Sequence, residues 1–188
     1  MNKIIGWTGL VATVLWAAGL AMQAADSDKT SSGYKAGDVL IWIGFAGLAA
    51  FIVGLLVSGV AGRGTFAKIA LGVWAFAHLS IPIGSIIESA TGNADNPFYP
   101  IGGLGQVLGG IASAVVIARA GVWTGWKRWA PTAWAVIYLG VFATFVASDP
   151  DPSLVTLIPF AFWLAAIAAT CVAATTTPSP SGAAPAVA

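Results

Sequence analysis

Six stretches of the chain are nearly free of charged side chains and long enough to cross a lipid bilayer: 4–25, 39–61, 66–87, 99–119, 129–147 and 154–175. Helix is the expected conformation for each, because a backbone in hydrocarbon must satisfy its own N–H and C=O groups. About 20 residues rising about 1.5 Å apiece cover the roughly 30 Å of apolar core. Polar and turn-forming residues fall between the runs, at 26–38, Gly62-Arg63-Gly64, 91–97 and Asp149-Pro150-Asp151-Pro152. The pattern predicts an all-α, polytopic integral membrane protein, a bundle of six transmembrane helices in one membrane domain over 1–175. Residues 176–188, with Pro178, Pro180 and Pro185 among small neutral residues, have nothing to bury and read as a disordered cytoplasmic tail. The first run also resembles a secretory signal peptide, with Lys3 before it and Ala24-Ala25 at its end. Its length, and Met22 or Gln23 at the minus-three position, favour a span that is retained.

Composition narrows the class further. Hydrophobic residues make up 58% and charged residues 8% of the 188, against roughly 25% charged in soluble domains. This excludes a water-soluble globular fold, a disordered chain and a nucleic-acid binder. Cys171 and His78 are each the single residue of their type, so an internal disulfide, a thiolate cluster, a haem held between two histidines of this chain and a His-rich zinc site are excluded. No cofactor or metal is expected.

Charge sets the orientation. Lys3, Arg63, Lys68, Arg119, Lys127 and Arg128, six of the eight basic residues, fall on one side of a six-span reading; only Lys29 and Lys35 fall on the other. Basic residues accumulate on the cytoplasmic side, so both termini are expected inside. The acids Asp26, Asp28, Asp38, Glu88, Asp95, Asp149 and Asp151 all lie on the opposite side. Trp123, Trp126 and Trp129 recur every third residue around Lys127 and Arg128, a pattern suited to an interfacial anchor at headgroup level, with anionic-lipid binding as its sharper version.

Small residues mark where helices approach closely in lipid. The second span carries Ala46, Ala50, Gly54, Ser58 and Gly62 at every fourth position, and the fourth carries Gly105, Gly109 and Ser113 likewise. Both helices are expected to be central, packing within one chain or against a second copy or a partner.

Polar side chains at membrane depth are the candidates for function. His78 lies about 13 Å below the outer end of the third span at about 1.5 Å per residue. Gln106 and Tyr138 are expected at similar depth on the fourth and fifth spans. Pro82, Ser85 and Ser89 follow His78 along one helical face, and Pro82 has no N–H to offer the His78 carbonyl. His78, Ser85, Gln106 and Tyr138 therefore form a candidate polar seam opening toward the acidic loops. The plainer expectation is that His78 donates one hydrogen bond, to Gln106 or a backbone carbonyl, and holds helices together. Glu88 reads as a solvated acid at the outer rim. No HExxH, GxSxG or GxxxxGK motif occurs, and the serines lack an oriented base, so no catalytic residue is assigned and an enzyme is not expected.

The Gly62-Arg63-Gly64 link and the Trp126-Lys127-Arg128-Trp129-Ala130-Pro131 run, together with the hydropathy, resemble small six-span proteins of bacterial inner membranes. That likeness carries no functional residue across. The six-span urea and amide channels are of comparable length, but none of their motif residues is present and the expected orientation differs. The sequence favours a non-enzymatic structural or accessory subunit of a membrane assembly, multi-pass in the cell membrane. Its expected partners are the lipid bilayer and another membrane protein or a second copy. The alternative is a small-solute channel or transporter built on the polar seam.

Overall fold

A computed structural model describes residues 2–26, 28–147 and 154–177; for 2, 145–147 and 154–157 it describes the helical backbone alone. All regular structure among these residues is helical. The six α-helices are α1 (Asn2–Ala25), α2 (Ser32–Ser58), α3 (Thr65–Thr91), α4 (Phe98–Ala120), α5 (Ala130–Ala147) and α6 (Leu154–Thr175), with a 3-10 turn, Gly125–Trp129, before α5. Five helices are long and apolar enough to cross a membrane, α5 being the shortest of the six at 18 residues. The acidic connector at 149–152 and residues 178–188 of the expected tail lie outside the described residues.

Two helices run past the apolar stretches that announce them. α2 starts at Ser32, seven residues ahead of its apolar run, because the Ser31 hydroxyl accepts the Tyr34 N–H at 3.0 Å and caps the first turn. Tyr34, Lys35 and Asp38 therefore stand on the helix and not in a loop. α3 continues to Thr91 and stops where Gly92 turns left-handed at φ +70°, its N–H reaching the Glu88 carbonyl at 2.7 Å. That conformation suits glycine, which has no Cβ to clash.

Each helix packs on its neighbours in sequence, and α6 returns to α1, so the six close into a ring. Glycines set the tightest seams. A Cβ placed on Gly37 would lie 2.8 Å from the Gly19 carbonyl, and one on Gly44 2.6 Å from the Trp16 Cβ, which fixes antiparallel α1 and α2. On the opposite side, Gly105 faces Ala77 and Gly109 faces the Trp74 backbone, which fixes α3 against α4. Gly6 and Gly9 admit Thr175 and Cys171 and close the ring from α1 to α6.

The expected ridge on α2 is divided by this arrangement. Ala46 and Ala50 are exposed on the outside of the ring, Gly54 meets Ile5 of α1, and Ser58 and Gly62 are half-buried near the turn. The close packing runs instead through Gly37, Gly44, Gly47 and Gly54. At about 100° per residue, a four-residue spacing drifts about 40° at each step, so a five-member series cannot stay on one face. Ser113 on α4 is fully buried.

Inside the ring the core is unusually aromatic and falls into two clusters. Trp74, Trp134 and Phe51 pack toward the end that carries most of the basic residues, the two indoles 4.3 Å apart between centroids. Trp16, Trp163, Phe160 and Tyr138 pack nearer the end where α2 begins, with Trp16 and Trp163 edge to face at 4.6 Å. Each such contact adds about 0.5–1.5 kcal/mol to the burial of the rings.

Candidate functional site

All six helices contribute to one cavity of about 390 Å³ within the ring. Its wall is formed by Trp16 and Leu20 of α1, Ile41 and Phe45 of α2, and Ile81 of α3. Tyr99, Gly103 and Gln106 of α4, Tyr138, Val141 and Phe142 of α5, and Phe160 and Trp163 of α6 complete it. Gly103 is small for a reason: a Cβ there would meet the Phe142 ring at 2.5 Å. The volume falls within the range of small-molecule sites, and a mostly apolar wall with a few polar groups is their usual construction.

Two of those polar groups lack protein partners. Away from the cavity, Thr13 bonds back to Gly9, Ser80 to Phe76 and Thr170 to Ala166, whereas Ser113 Oγ and His78 Nε2 are unpartnered. Gln106, only 2% exposed, leaves its Oε1 without a hydrogen bond, and Trp163, equally buried, leaves its Nε1–H unused. An unmade hydrogen bond costs about 1–3 kcal/mol in such surroundings. Both atoms are also sealed from solvent, so a ligand or water recovers that energy only when a side chain turns its polar atom into the cavity.

Between the cavity and the acidic end stands a polar cluster. The Tyr99 hydroxyl, whose ring is part of the wall, donates to Glu88 Oε2 at 2.6 Å and lies 3.4 Å from Ser85 Oγ. Across from it, Gln23 Nε2 donates to Asp38 Oδ1 at 2.6 Å. Asp38 and Glu88 lie close enough to repel one another, and Tyr34 is near both. Neither carboxylate is solvated on all sides; both are half-buried. Glu88 is thus a hydrogen-bonded member of the cluster, where a free rim acid was expected, because the tight 92–97 turn folds Tyr99 back onto the last turns of α3. Farther out, the Thr30 backbone N–H and hydroxyl both donate to Asp28 and hold its carboxyl below the ordinary range.

The four residues of the expected seam separate into two groups. Gln106 and Tyr138 line the cavity, and Ser85 joins it through Tyr99. His78 stands behind the wall, fully buried among Phe45, Trp74 and Trp134 with ring centroids 5.7–6.0 Å away. Its Nδ1 donates to the Trp74 carbonyl at 2.8 Å on its own helix, and its Nε2 has no partner. Tyr99, Asp38, Gln23, Trp16 and Trp163 complete the site without having been picked out from the sequence. The signal for Tyr99 was present: it lies 11 residues after Glu88 across a turn too short to separate antiparallel helices.

At the basic end, the tryptophans of the expected anchor part company. Trp123 is buried, whereas Trp126 and Trp129 are exposed. Arg128 lies 5.3 Å over the Trp129 ring, and Lys127 donates to the Thr176 carbonyl at 3.0 Å. Among the described residues, no group of three His, Cys, Asp or Glu side chains is placed to hold a metal. No protein-family model, curated protein or solved structure matches the chain.

Proposed function

We propose that the chain spans the cytoplasmic membrane of a bacterium six times with both termini inside, and that its central cavity takes up a small organic solute from the acidic face, as a channel or transporter does. The observation that carries this reading is the cavity itself, to which all six helices contribute and whose wall joins the rings of Trp16, Phe45, Tyr138 and Trp163 with Gln106. Solute character follows from the surroundings. The rings of Trp16, Phe45, Tyr138 and Trp163 suit a flat apolar body, and their faces attract cations. Asp38 and Glu88, beyond Tyr99 on the acidic side, favour a positive charge although Lys29 stands near Asp38, and no lysine or arginine shares the wall. The favoured solute class is a small organic ammonium ion.

The accessory-subunit reading draws on the small-residue ridges. Gly54, Gly105 and Gly109 already meet Ile5, Ala77 and Trp74 of the same chain, which leaves less of those ridges for a partner.

The test is titration of the purified protein with benzylammonium and with benzyl alcohol, read through the emission of the wall tryptophans. Saturable quenching is expected, tighter for the ammonium, with the difference lost in Asp38→Asn/Glu88→Gln. A linear, non-saturating response that is identical in wild type and Gln106→Leu would reject the cavity as a binding site.

A further inference from the structure

A second cavity lies on the outside of the ring, between α4 and α5, and has a different character. It is a groove of about 310 Å³ with Ala118 and Ala135 on its wall between the exposed flanks Val115 and Val136. At one end stand Arg119, on the last turn of α4, and Arg128 and Trp129, just ahead of α5. Both arginines are exposed, and among the described residues neither forms an ion pair. Asp26, Asp28, Asp38, Glu88 and Asp95 are all at the other end of the bundle, a helix length away, about 30 Å for 20 residues. Among the described residues, no carboxylate lies at the end of the bundle that holds these two guanidinium groups.

We infer that this groove is a binding site for an anionic phospholipid, with the phosphate held between Arg119 and Arg128 and an acyl chain lying along the α4–α5 trough. The trough is apolar and opens toward the bilayer, which suits a chain and not a free ion. Guanidinium groups bind phosphate through paired, charge-assisted hydrogen bonds, and Trp129 has the place that indoles take at headgroup depth. The headgroup follows from the charges present: an ammonium-bearing lipid finds no carboxylate among the described residues at this end, whereas a glycerol headgroup leaves the negative charge to the two arginines. The inference rests on the membrane nature of the chain and not on the central cavity, so either reading can fail alone.

The experiment is native mass spectrometry of the full-length protein released from neutral detergent with equal amounts of phosphatidylglycerol and phosphatidylcholine. Wild type is expected to retain one phosphatidylglycerol in preference. Arg119→Gln/Arg128→Gln should lower that retention roughly tenfold, in line with loss of contacts to charged groups. Val115→Trp, which fills the trough and keeps both cations, should lower it as well. Arg63→Gln/Lys68→Gln, which removes basic charge from the same end away from the groove, should leave it unchanged. Equal retention of the two lipids, equal loss in the Arg63/Lys68 variant, or unchanged retention in Val115→Trp would each overturn the proposal. Displacement of the lipid by millimolar inorganic phosphate would also overturn it, by making the site one for a free anion.

Discussion

Replacing Gly109 by alanine adds one methyl group where α4 lies directly against the backbone of α3. The new Cβ would stand 2.8 Å from the Trp74 nitrogen and 2.9 Å from its Cα, where ordinary contact begins at 3.4 Å. These are backbone atoms of a helix, so no side-chain rotation relieves the overlap. Trp74 is itself 1% exposed and packed on Trp134, and the helices must move apart along a seam that Gly102 and Gly105 share. Overpacking of this kind costs about 1–3 kcal/mol, partly offset by about 0.5–1 kcal/mol from replacing a helical glycine. The expected net loss is about 1 kcal/mol, roughly a five-fold fall in the folding equilibrium constant. Gly72→Ala and Gly140→Ala, in α3 and α5, make the same chemical change where nothing lies within 4 Å, and should be neutral or slightly stabilising. The assay is unfolding by dodecyl sulfate in mixed micelles, followed by near-ultraviolet circular dichroism. If Gly109→Ala unfolds at the same midpoint as Gly72→Ala, the α3–α4 seam is not as close as described.

Further substitutions address the polar groups. Gln106→Leu removes an amide with an unpartnered oxygen and should raise stability by about 1 kcal/mol while abolishing saturable ammonium binding; a destabilised variant would show that Gln106 has a partner in the protein. Tyr99→Phe removes the 2.6 Å bond to Glu88 and should lower the unfolding free energy by about 1–2 kcal/mol; no change in the dodecyl sulfate midpoint would remove Tyr99 from the cluster. His78→Phe keeps a ring among Phe45, Trp74 and Trp134, losing the bond to the Trp74 carbonyl along with the unpartnered Nε2, and should lower stability by less than about 1.5 kcal/mol, with ammonium binding retained; loss of binding in a folded variant would bring His78 into the site.

Much of the architecture was legible because apolar runs of 20 residues have few alternatives to helix in lipid. What escaped was set by contacts between distant segments. The early start of α2 depends on a single serine hydroxyl, and a hydropathy reading passes over the polar turn it nucleates. The ring closure through Gly6, Gly9 and Cys171 joins the first and last helices, and isolated glycines do not name their partners. Counting residues from helix ends brought Gln106 and Tyr138 to one depth, and the structure puts both on one wall. The same count brought in His78, which faces a different sector of α3: depth is readable from length, whereas azimuth depends on which neighbours a helix acquires. Trp16 and Trp163 were invisible for a related reason, since an indole in a span suits lipid, core and cavity equally well.

The central claim is that the cavity is reached from the acidic face, and cysteine labelling tests it most directly. With Cys171→Ala as the background, Gln106→Cys is exposed to a membrane-impermeant trimethylammonium methanethiosulfonate in oriented vesicles, with Ser113→Cys as a buried reference on the same helix. The account predicts modification of Gln106→Cys from the acidic side only, slowed by benzylammonium, and none at Ser113→Cys. Modification from the basic side, or none from either side, would contradict it.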